Sequence, residues 1–266
     1  MKRNKVKEML KKGEAVAVPE VNHIFSPQLI EILGLLGYKC VWIDMEHSDL
    51  SYERLSELAM AARATGMDVI VRIAKGGYTS IIRPLELGAN GLVLPHCISA
   101  DEARQFVRMA KFTPLGLRGI GAGRDSNYGL VDLNGYLRDA NEETLLIAQI
   151  EDKKAVDNVD SIAAIEEIDV LFIGHVDLSQ SYGVVGELDH PLIQKAIEKV
   201  AFACKKYKKS WGLPVEPGER MQKILNKGAQ FLNITSEMRI LLDGFRIAID
   251  NSRKEFSKHR AGEKDD

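Results

Sequence analysis

Asp44, Glu46 and His47 stand together at the end of a short apolar run, Cys40-Val-Trp-Ile43, and this stretch organises the chain. A run of that kind suits a strand buried on both faces, so its polar end needs a reason. Two are open: a solvated turn that caps the next helix, or a set of groups delivered to a mouth. As a base His47 titrates near neutral pH, with Asp44 placed to orient its ring; otherwise it is a loop histidine at the surface. Arg72 is embedded in the apolar run 69–73, where an unpaired guanidinium is expensive, so it must meet an anion. That anion is either a protein carboxylate such as Asp44 or Glu46, or a substrate carboxylate or enolate oxygen. Glu151 closes the run 145–150, and Asp177 follows the run 170–173. Either acid alone reads as a helix cap. Together they are two hard oxygen ligands that leave positions for water and a chelating substrate, which suits Mg²⁺ or Mn²⁺.

The elements that must position these groups repeat one pattern. Apolar runs at 15–18, 41–44, 69–73, 91–94, 145–150, 170–173, 211–215 and 231–234 alternate with amphipathic stretches. Ser26-Pro27, Ser51 and the capping box Ser99-Ala-Asp-Glu102 open helices, and Gly37 and Gly66 close them. Eight strand-helix units in about 250 residues predict a (β/α)₈ TIM barrel, with an open doubly wound sheet as the other fold built from the same units. No Pro-, Gly- or Ser-rich linker divides the chain, so one domain is expected over 1–266, with a basic helix at about 1–12 and a charged, frayed tail at about 251–266. In a barrel the C-terminal ends of the strands meet, which gathers Asp44, Glu46, His47, Arg72, His96, Gln149, Glu151 and Asp177 into one place. The rhythm breaks at 111–136, which is rich in Gly and Arg and too polar for a core element; it reads as a lid or binding segment, or else a surface insert.

Composition narrows the function classes. The 266 residues carry a formal charge of −2 and a pI near 6.3, which argues against a nucleic-acid surface. No run is long enough to cross a bilayer, and the basic start has helical spacing at Val6, Met9 and Leu10 without the apolar core of a secretory signal. Cys40, Cys97 and Cys204 are odd in number and widely spaced, so they predict reduced, buried thiols and a cytoplasmic location. Gly119-Ile-Gly121-Ala-Gly123 resembles a dinucleotide loop in composition only, because it does not follow a strand. His47, His96 and His175 with Asp177 offer a transition-metal site as a minor alternative to the hard-cation pair.

Several motifs in order carry a family resemblance. Trp42-Ile-Asp-Met-Glu-His47, Val71-Arg72, Gly88-Ala-Asn-Gly91 with Pro95, Gly116-Leu-Arg-Gly119, Gln149-Ile-Glu151 and Phe172-Ile-Gly-His-Val-Asp-Leu-Ser179 together resemble the HpcH/HpaI aldolase and citrate lyase family, over about 13–243. The chain is most similar to its metal-dependent class II pyruvate aldolases, which handle 4-hydroxy-2-oxo acids and keto-deoxy sugar acids. The resemblance implies a (β/α)₈ barrel, commonly a hexamer whose last helix packs on a neighbour. It also implies Glu151 and Asp177 as ligands of Mg²⁺ or Mn²⁺, with Co²⁺ possible, and Arg72 as the holder of the 2-oxo acid and its developing enolate. His47 then does acid-base work with Asp44 beside it, Gln149 lines the pocket, and loop amides at Gly174 and Val176 meet the substrate carboxylate.

The chain departs from the family at two points. Gly174-His175-Val176-Asp177-Leu178 stands where the family usually reads Gly-Pro-Ala-Asp-Leu, and the loss of Pro restores an N–H and leaves His175 as a polar wall or a surface replacement. Near Val18-Pro-Glu-Val21 there is no counterpart of the aromatic residue that well-known members place after the first strand. The expected reaction is reversible aldol cleavage to pyruvate and an aldehyde through a metal-stabilised enolate, needing no lysine; Lys75 is the natural suspect for a Schiff base instead. The competing readings are an acyl-CoA lyase of the same family, with Arg118 and Arg124 as phosphate contacts, and a non-catalytic barrel that binds an oxo acid or a metal.

Overall fold

The structure, a computed structural model, describes residues 3–262. The first half runs α1 (Lys5–Lys11), β1 (Val16–Val21), α2 (Pro27–Leu35), β2 (Cys40–Asp44), α3 (Tyr52–Thr65), β3 (Asp68–Arg72), α4 (Tyr78–Leu87), β4 (Gly91–Leu94) and α5 (Ala100–Ala110). A 3₁₀ segment (Arg124–Gly129) and α6 (Leu133–Glu143) then lead to β5 (Leu145–Ile150), α7 (Lys153–Asp157), α8 (Val159–Ala163) and β6 (Val170–Ile173). The remainder is α9 (His175–Ser181), α10 (Pro191–Tyr207), β7 (Ser210–Pro214), α11 (Glu219–Asn226), β8 (Phe231–Ser236) and α12 (Glu237–Gly262). All eight apolar runs are strands, and they pair in parallel as a closed barrel in which β8 returns to β1. The fold is the (β/α)₈ barrel, and closure excludes the open doubly wound sheet.

Side-chain parity explains where polar groups emerge. Successive residues of a strand point to opposite faces. Cys40 and Trp42 of β2, Ile70 of β3, Ile147 of β5, Phe172 of β6 and Phe231 of β8 fill the barrel interior, while Val41, Ile43, Val69 and Val71 pack against the helices. The next inward step along these rows reaches Asp44, Arg72, Gln149 and Asn233. On β1, Val16 and Val18 point inward and the same alternation brings Glu20 inside, while the register shift at Val18/Pro19 leaves the extra residue, Ile234, on β8. Trp42, Phe172 and Phe231 close the middle of the barrel, with ring centroids 4.9, 5.9 and 6.2 Å apart. The polar ends therefore sit on an apolar floor.

Three sequence expectations change. The basic start is more than a solvated face: Val6 and Leu10 of α1 are buried against the barrel interior cluster, and Asp68 Oδ2 accepts the Val6 N–H at 3.0 Å. Met1 and Lys2 lie outside the described residues. The charged tail is not frayed over its described length, because α12 continues to Gly262; residues 263–266 lie outside the described residues. The segment 111–136 lies largely at the surface, as a surface insert would, but it is pinned by buried charged groups. Arg118 is enclosed, ion-paired to Asp125 and 4.7 Å from the Phe112 ring, and Tyr136 donates to Asp125 at 2.6 Å. Arg124 donates to the Ser56 carbonyl at 2.7 Å and to its hydroxyl at 2.9 Å. Both arginines weighed as CoA phosphate contacts are thus engaged within the fold.

A buried ion pair that loses one partner leaves an uncompensated charge, which costs about 3–5 kcal/mol. Asp125→Ala is therefore expected to lower unfolding free energy by about that amount, measured by urea denaturation. A loss under about 1 kcal/mol would show that the segment is held by its other contacts.

Candidate active site

Arg72 is the centre of the barrel mouth. Asp44 and Arg72 are register partners on neighbouring strands, so their inward side chains meet directly. The guanidinium donates to Asp44 through Nε at 2.8 Å and Nη2 at 2.7 Å, a bidentate fork, and only 13% of its side chain is exposed. Glu46 lies 3.4 Å and Glu20 3.8 Å from the same group. Of the two kinds of partner open to Arg72, protein carboxylates hold it here. Burial pushes the Asp44 carboxyl up, but the hydrogen bonds and charge of Arg72 outweigh that and hold it below the usual aspartate value.

Asp44 also shapes the loop that follows. Its carboxylate accepts the Glu46 N–H at 3.0 Å and the His47 N–H at 3.3 Å, and its carbonyl accepts the Ser48 hydroxyl at 2.6 Å. Asp44 thus fixes the backbone at His47 and does not orient the ring, as the sequence had suggested. The His47 ring faces Glu46, with Nε2 3.7 Å from Oε2, and 65% of the side chain is exposed. Glu46, one of the carboxylates the sequence offers to Arg72, also reaches His96 Nε2 at 3.6 Å with its other oxygen.

On the β5 side, Glu151 is 1% exposed. One oxygen accepts the His96 N–H at 2.6 Å, the other accepts the Gln149 amide, and His96 Nδ1 lies 3.3 Å away. Burial raises the Glu151 pKa, and the bond from the His96 amide only partly opposes this. His96 has a φ of 48°, a left-handed conformation that non-glycine residues seldom adopt. Its carbonyl accepts Lys75 Nζ at 2.7 Å, and Lys75 also meets Glu102 at 3.3 Å, so the lysine suspected for a Schiff base is an ion-paired surface group.

The loop after β6 becomes α9 at once, a helix that was not expected. Gly174 makes this possible, because a Cβ there would collide with the Glu151 carboxylate and lie 3.0 Å from Gln149 Nε2. Its own N–H is donated to the Ile150 carbonyl at 3.2 Å, so its service to the site is close approach. Val176 is 55% exposed, and Asp177 lies exposed in the first turn of α9. His175 is 6% exposed, so it is not a surface replacement. Burial first and Arg220 second push its pKa down to about 4, and Nδ1 has no hydrogen-bond partner.

These features bear on a cation. Among the described residues Glu151 has no lysine or arginine within ion-pair distance, and the buried Gln149 Oε1 has no hydrogen-bond partner. A buried carboxylate and an orphaned amide oxygen are donors of the kind a hard cation takes, and Asp177 is a further carboxylate in the first turn of α9. No cluster of three or more His, Cys, Asp or Glu side chains suited to a metal occurs among the described residues, so the alternative of three histidines with Asp177 is not formed. The β6–β8 side of the mouth opens into a cavity of about 640 Å³ that includes Glu20, His175, Val176 and Asn233. A larger cavity, of about 870 Å³, lies at the other end of the barrel beside Lys7, Cys204 and Trp211 and holds none of these groups. Glu20 and Asn233 were missed in the sequence. Inward parity, through Val16, Val18 and Glu20 on β1 and through Phe231 and Asn233 on β8, is the signal that finds both.

Two expectations follow. Gly174→Ala should weaken Mn²⁺ binding tenfold or more by calorimetric titration, with circular dichroism unchanged, as for lost outer-shell support; unchanged affinity would mean that Glu151 and α9 can part. The Asp44–Arg72 pair contributes stability fully above the ordinary aspartate pKa of 3.8, and that share disappears as pH falls through the lower folded value. Asp44→Asn should therefore flatten the acid limb of a urea-denaturation series, and an unaltered slope would refute the linkage.

The chain resembles known proteins over most of its length. A family model described as HpcH/HpaI aldolase/citrate lyase matches residues 23–243. The chain is 32% identical over 242 residues to a hydroxypyruvate/pyruvate aldolase of Roseobacter denitrificans, covering 90% of this chain and 93% of that one. It is 33% identical over 234 residues to a 2-keto-3-deoxy-L-rhamnonate aldolase of Salmonella gallinarum, covering 87% and 86%. A crystal structure of an HpcH/HpaI aldolase from Desulfitobacterium hafniense superposes with a TM-score of 0.87 at 29% identity, covering 93% of this chain and 96% of that one. A barrel whose mouth joins Arg72, Asp44 and Glu151 thus has its kin among enzymes, and the chain belongs to the HpcH/HpaI aldolase/citrate lyase family.

Proposed function

We propose that the chain is a class II aldolase that reversibly cleaves a 4-hydroxy-2-oxo acid, of the keto-deoxy sugar acid kind, to pyruvate and an aldehyde. The observation that carries this reading is the presence in one mouth of the buried Arg72 guanidinium and of the buried Glu151 carboxylate, which no lysine or arginine among the described residues neutralises. Glu151 and Asp177, with Gln149 beside them, are the residues to hold a divalent cation, Mg²⁺ or Mn²⁺ with Co²⁺ as a further option. When bound it supplies Lewis acidity to the oxygens of the 2-oxo acid.

The chain's own groups do the rest. Arg72 turns its remaining donors to the ketone oxygen and meets the negative charge that develops there as the C3–C4 bond breaks. Asp44 keeps the guanidinium charged and aimed. His47 takes the proton of the C4 hydroxyl in cleavage and returns it in condensation, with Glu46 facing its ring. The Val176 amide, at the start of α9, meets the substrate carboxylate, and Gly174 lets that turn lie against Glu151. The aromatic floor keeps water from below.

The same reading takes the barrel and both terminal helices as one domain in a cytoplasmic homo-oligomer, six subunits being the family's habit. Ile240, Phe245, Ile247 and Phe256 of α12 are more than half exposed, which favours a partner surface, and Cys40, Cys97 and Cys204 are buried and free. Among the described residues no helix is long and apolar enough to cross a membrane.

The test is pyruvate release from 4-hydroxy-2-oxo acids by protein stripped with chelator and resupplied with Mg²⁺, Mn²⁺ or Co²⁺. Release should require metal and vanish in Glu151→Ala, and His47→Ala should lower kcat by about 10²- to 10⁴-fold. Metal-independent release would shift the chemistry to a lysine. No release from any acid, with ligand-induced stabilisation retained, would favour a sensor barrel.

A further inference from the structure

The barrel mouth has two unlike halves. The β2–β5 half carries Arg72, Glu46, His96, Gln149 and Glu151, where the reading above places the 2-oxo acid. The β6–β8 half and β1 face the cavity of about 640 Å³, and Glu20 stands at the boundary. Its Oε2 accepts Asn233 Nδ2 at 3.1 Å, and its Oε1 lies 3.8 Å from Arg72 Nη2. At that distance no hydrogen bond joins the two groups, so Glu20 receives the charge of the guanidinium alone. Burial pushes the Glu20 carboxyl up, more than the charge of Arg72 and the bond from Asn233 bring it down. The position is firm, because the following loop is tied down: Glu237 Oε1 accepts the N–H groups of His23 at 2.7 Å and Ile24 at 2.9 Å.

The other charges of the cavity are on its rim and matched. Arg239 lies 2.6 Å from Glu216, Arg220 lies 3.9 Å from Asp189, and Glu219 pairs with Lys223 at 2.8 Å. Glu20 is therefore the inner charge that a second substrate meets; the Asn233 amide donates to it, and His175, whose Nδ1 has no hydrogen-bond partner, lines the same cavity. A carboxylate in such a place accepts hydrogen bonds from hydroxyls and repels a second carboxylate, the more so as solvent is excluded.

We propose that Glu20 selects the aldehyde: the cavity takes a neutral hydroxyaldehyde, whose hydroxyl donates to Glu20, and turns away aldehydes that carry a carboxylate. The inference rests on the aldolase reading and adds a specificity determinant to it. In condensation with glycolaldehyde, the pyruvate methyl gives up a proton and its carbon bonds to the aldehyde carbon. The carbonyl π pair moves to the aldehyde oxygen, which takes a proton, giving 4,5-dihydroxy-2-oxopentanoate with no oxidant or reductant. Glyoxylate follows the same course but sets its carboxylate against Glu20.

The experiment compares kcat/KM for glycolaldehyde and glyoxylate with pyruvate, using the metal-loaded full chain. The wild type should favour glycolaldehyde by about tenfold or more, and Glu20→Gln should shrink that ratio by about tenfold. Glu20→Asp, which keeps the charge, should retain the preference. Taking the ratio cancels any loss that reaches both aldehydes through Arg72. An equal or greater wild-type rate with glyoxylate overturns the proposal without recourse to a variant, as does an unchanged ratio in Glu20→Gln. Exchange of the pyruvate methyl protons in D₂O, measured without aldehyde, separates the two levels. Exchange without the predicted preference refutes Glu20 alone, whereas no exchange and no product refute the aldolase reading and this inference together.

Discussion

The fork between Arg72 and Asp44 is the interaction on which the rest of the mouth depends. A guanidinium inside a barrel, above a floor of Trp42, Phe172 and Phe231, would be unsupportable without a carboxylate in bidentate register. The strand register supplies one, since Asp44 and Arg72 are cross-strand partners. The same carboxylate then gathers the amides of Glu46 and His47, so a single buried charge pair determines the path of the loop after β2. The Arg72 guanidinium also sits 5.8 Å from the Trp42 ring, which adds a cation–π contribution on its apolar side.

Around this one guanidinium stand Glu20, Asp44 and Glu46, and Glu151 meets Glu46 through the His96 ring between them. Negative charge therefore exceeds positive charge in a region of low dielectric, where like charges interact strongly. Added positive charge relieves such a site, and Glu151, raised in pKa by burial and bonded only through neutral amides and a histidine, is where the need is greatest. The proposed cation at Glu151 and Asp177 follows from that imbalance as much as from the chemistry of the ligands. Arg72 stays protonated because its three acidic neighbours outweigh the effect of burial.

Much of this was legible in the sequence because strand parity and strand ends obey local rules. The eight apolar runs became eight strands, and inward alternation from Cys40 through Trp42 leads to Asp44 as surely as Ile147 leads to Gln149. What escaped depends on contacts between segments distant in sequence. α9 begins where a turn was expected because Gly174 can lie against Glu151, twenty-three residues earlier by number, and no window around Gly174 contains that fact. Arg118 and Asp125 look like loop charges until Phe112 and Tyr136 enclose them. Glu20 shares the inward parity of Val16 and Val18, but only the cavity it lines with His175 and Asn233, far away in sequence, gives it a place in the site. His47 was assigned a carboxylate to its ring by nearness in sequence, but Asp44 was already claimed by a strand neighbour.

The mouth also separates groups by what their task demands. Charges that must be in place before substrate arrives, Arg72 and Glu151, are buried at strand ends and held by partners from two or more elements, so they cost little reorganisation when charge develops. His47, whose proposed work is to give and take a proton, is on a loop with an exposed ring and only a distant carboxylate, so it keeps contact with solvent while its backbone is fixed by Asp44. The second-substrate side is different again. Its lining comes from the loops after β6 and β7, from β8 and from the end of β1, elements that can vary in this fold without disturbing the Arg72–Asp44 fork. A family that keeps one half of its mouth constant and changes the other can retain the chemistry of pyruvate while altering its aldehyde, and the placement of Glu20 at the seam makes that residue answerable to both.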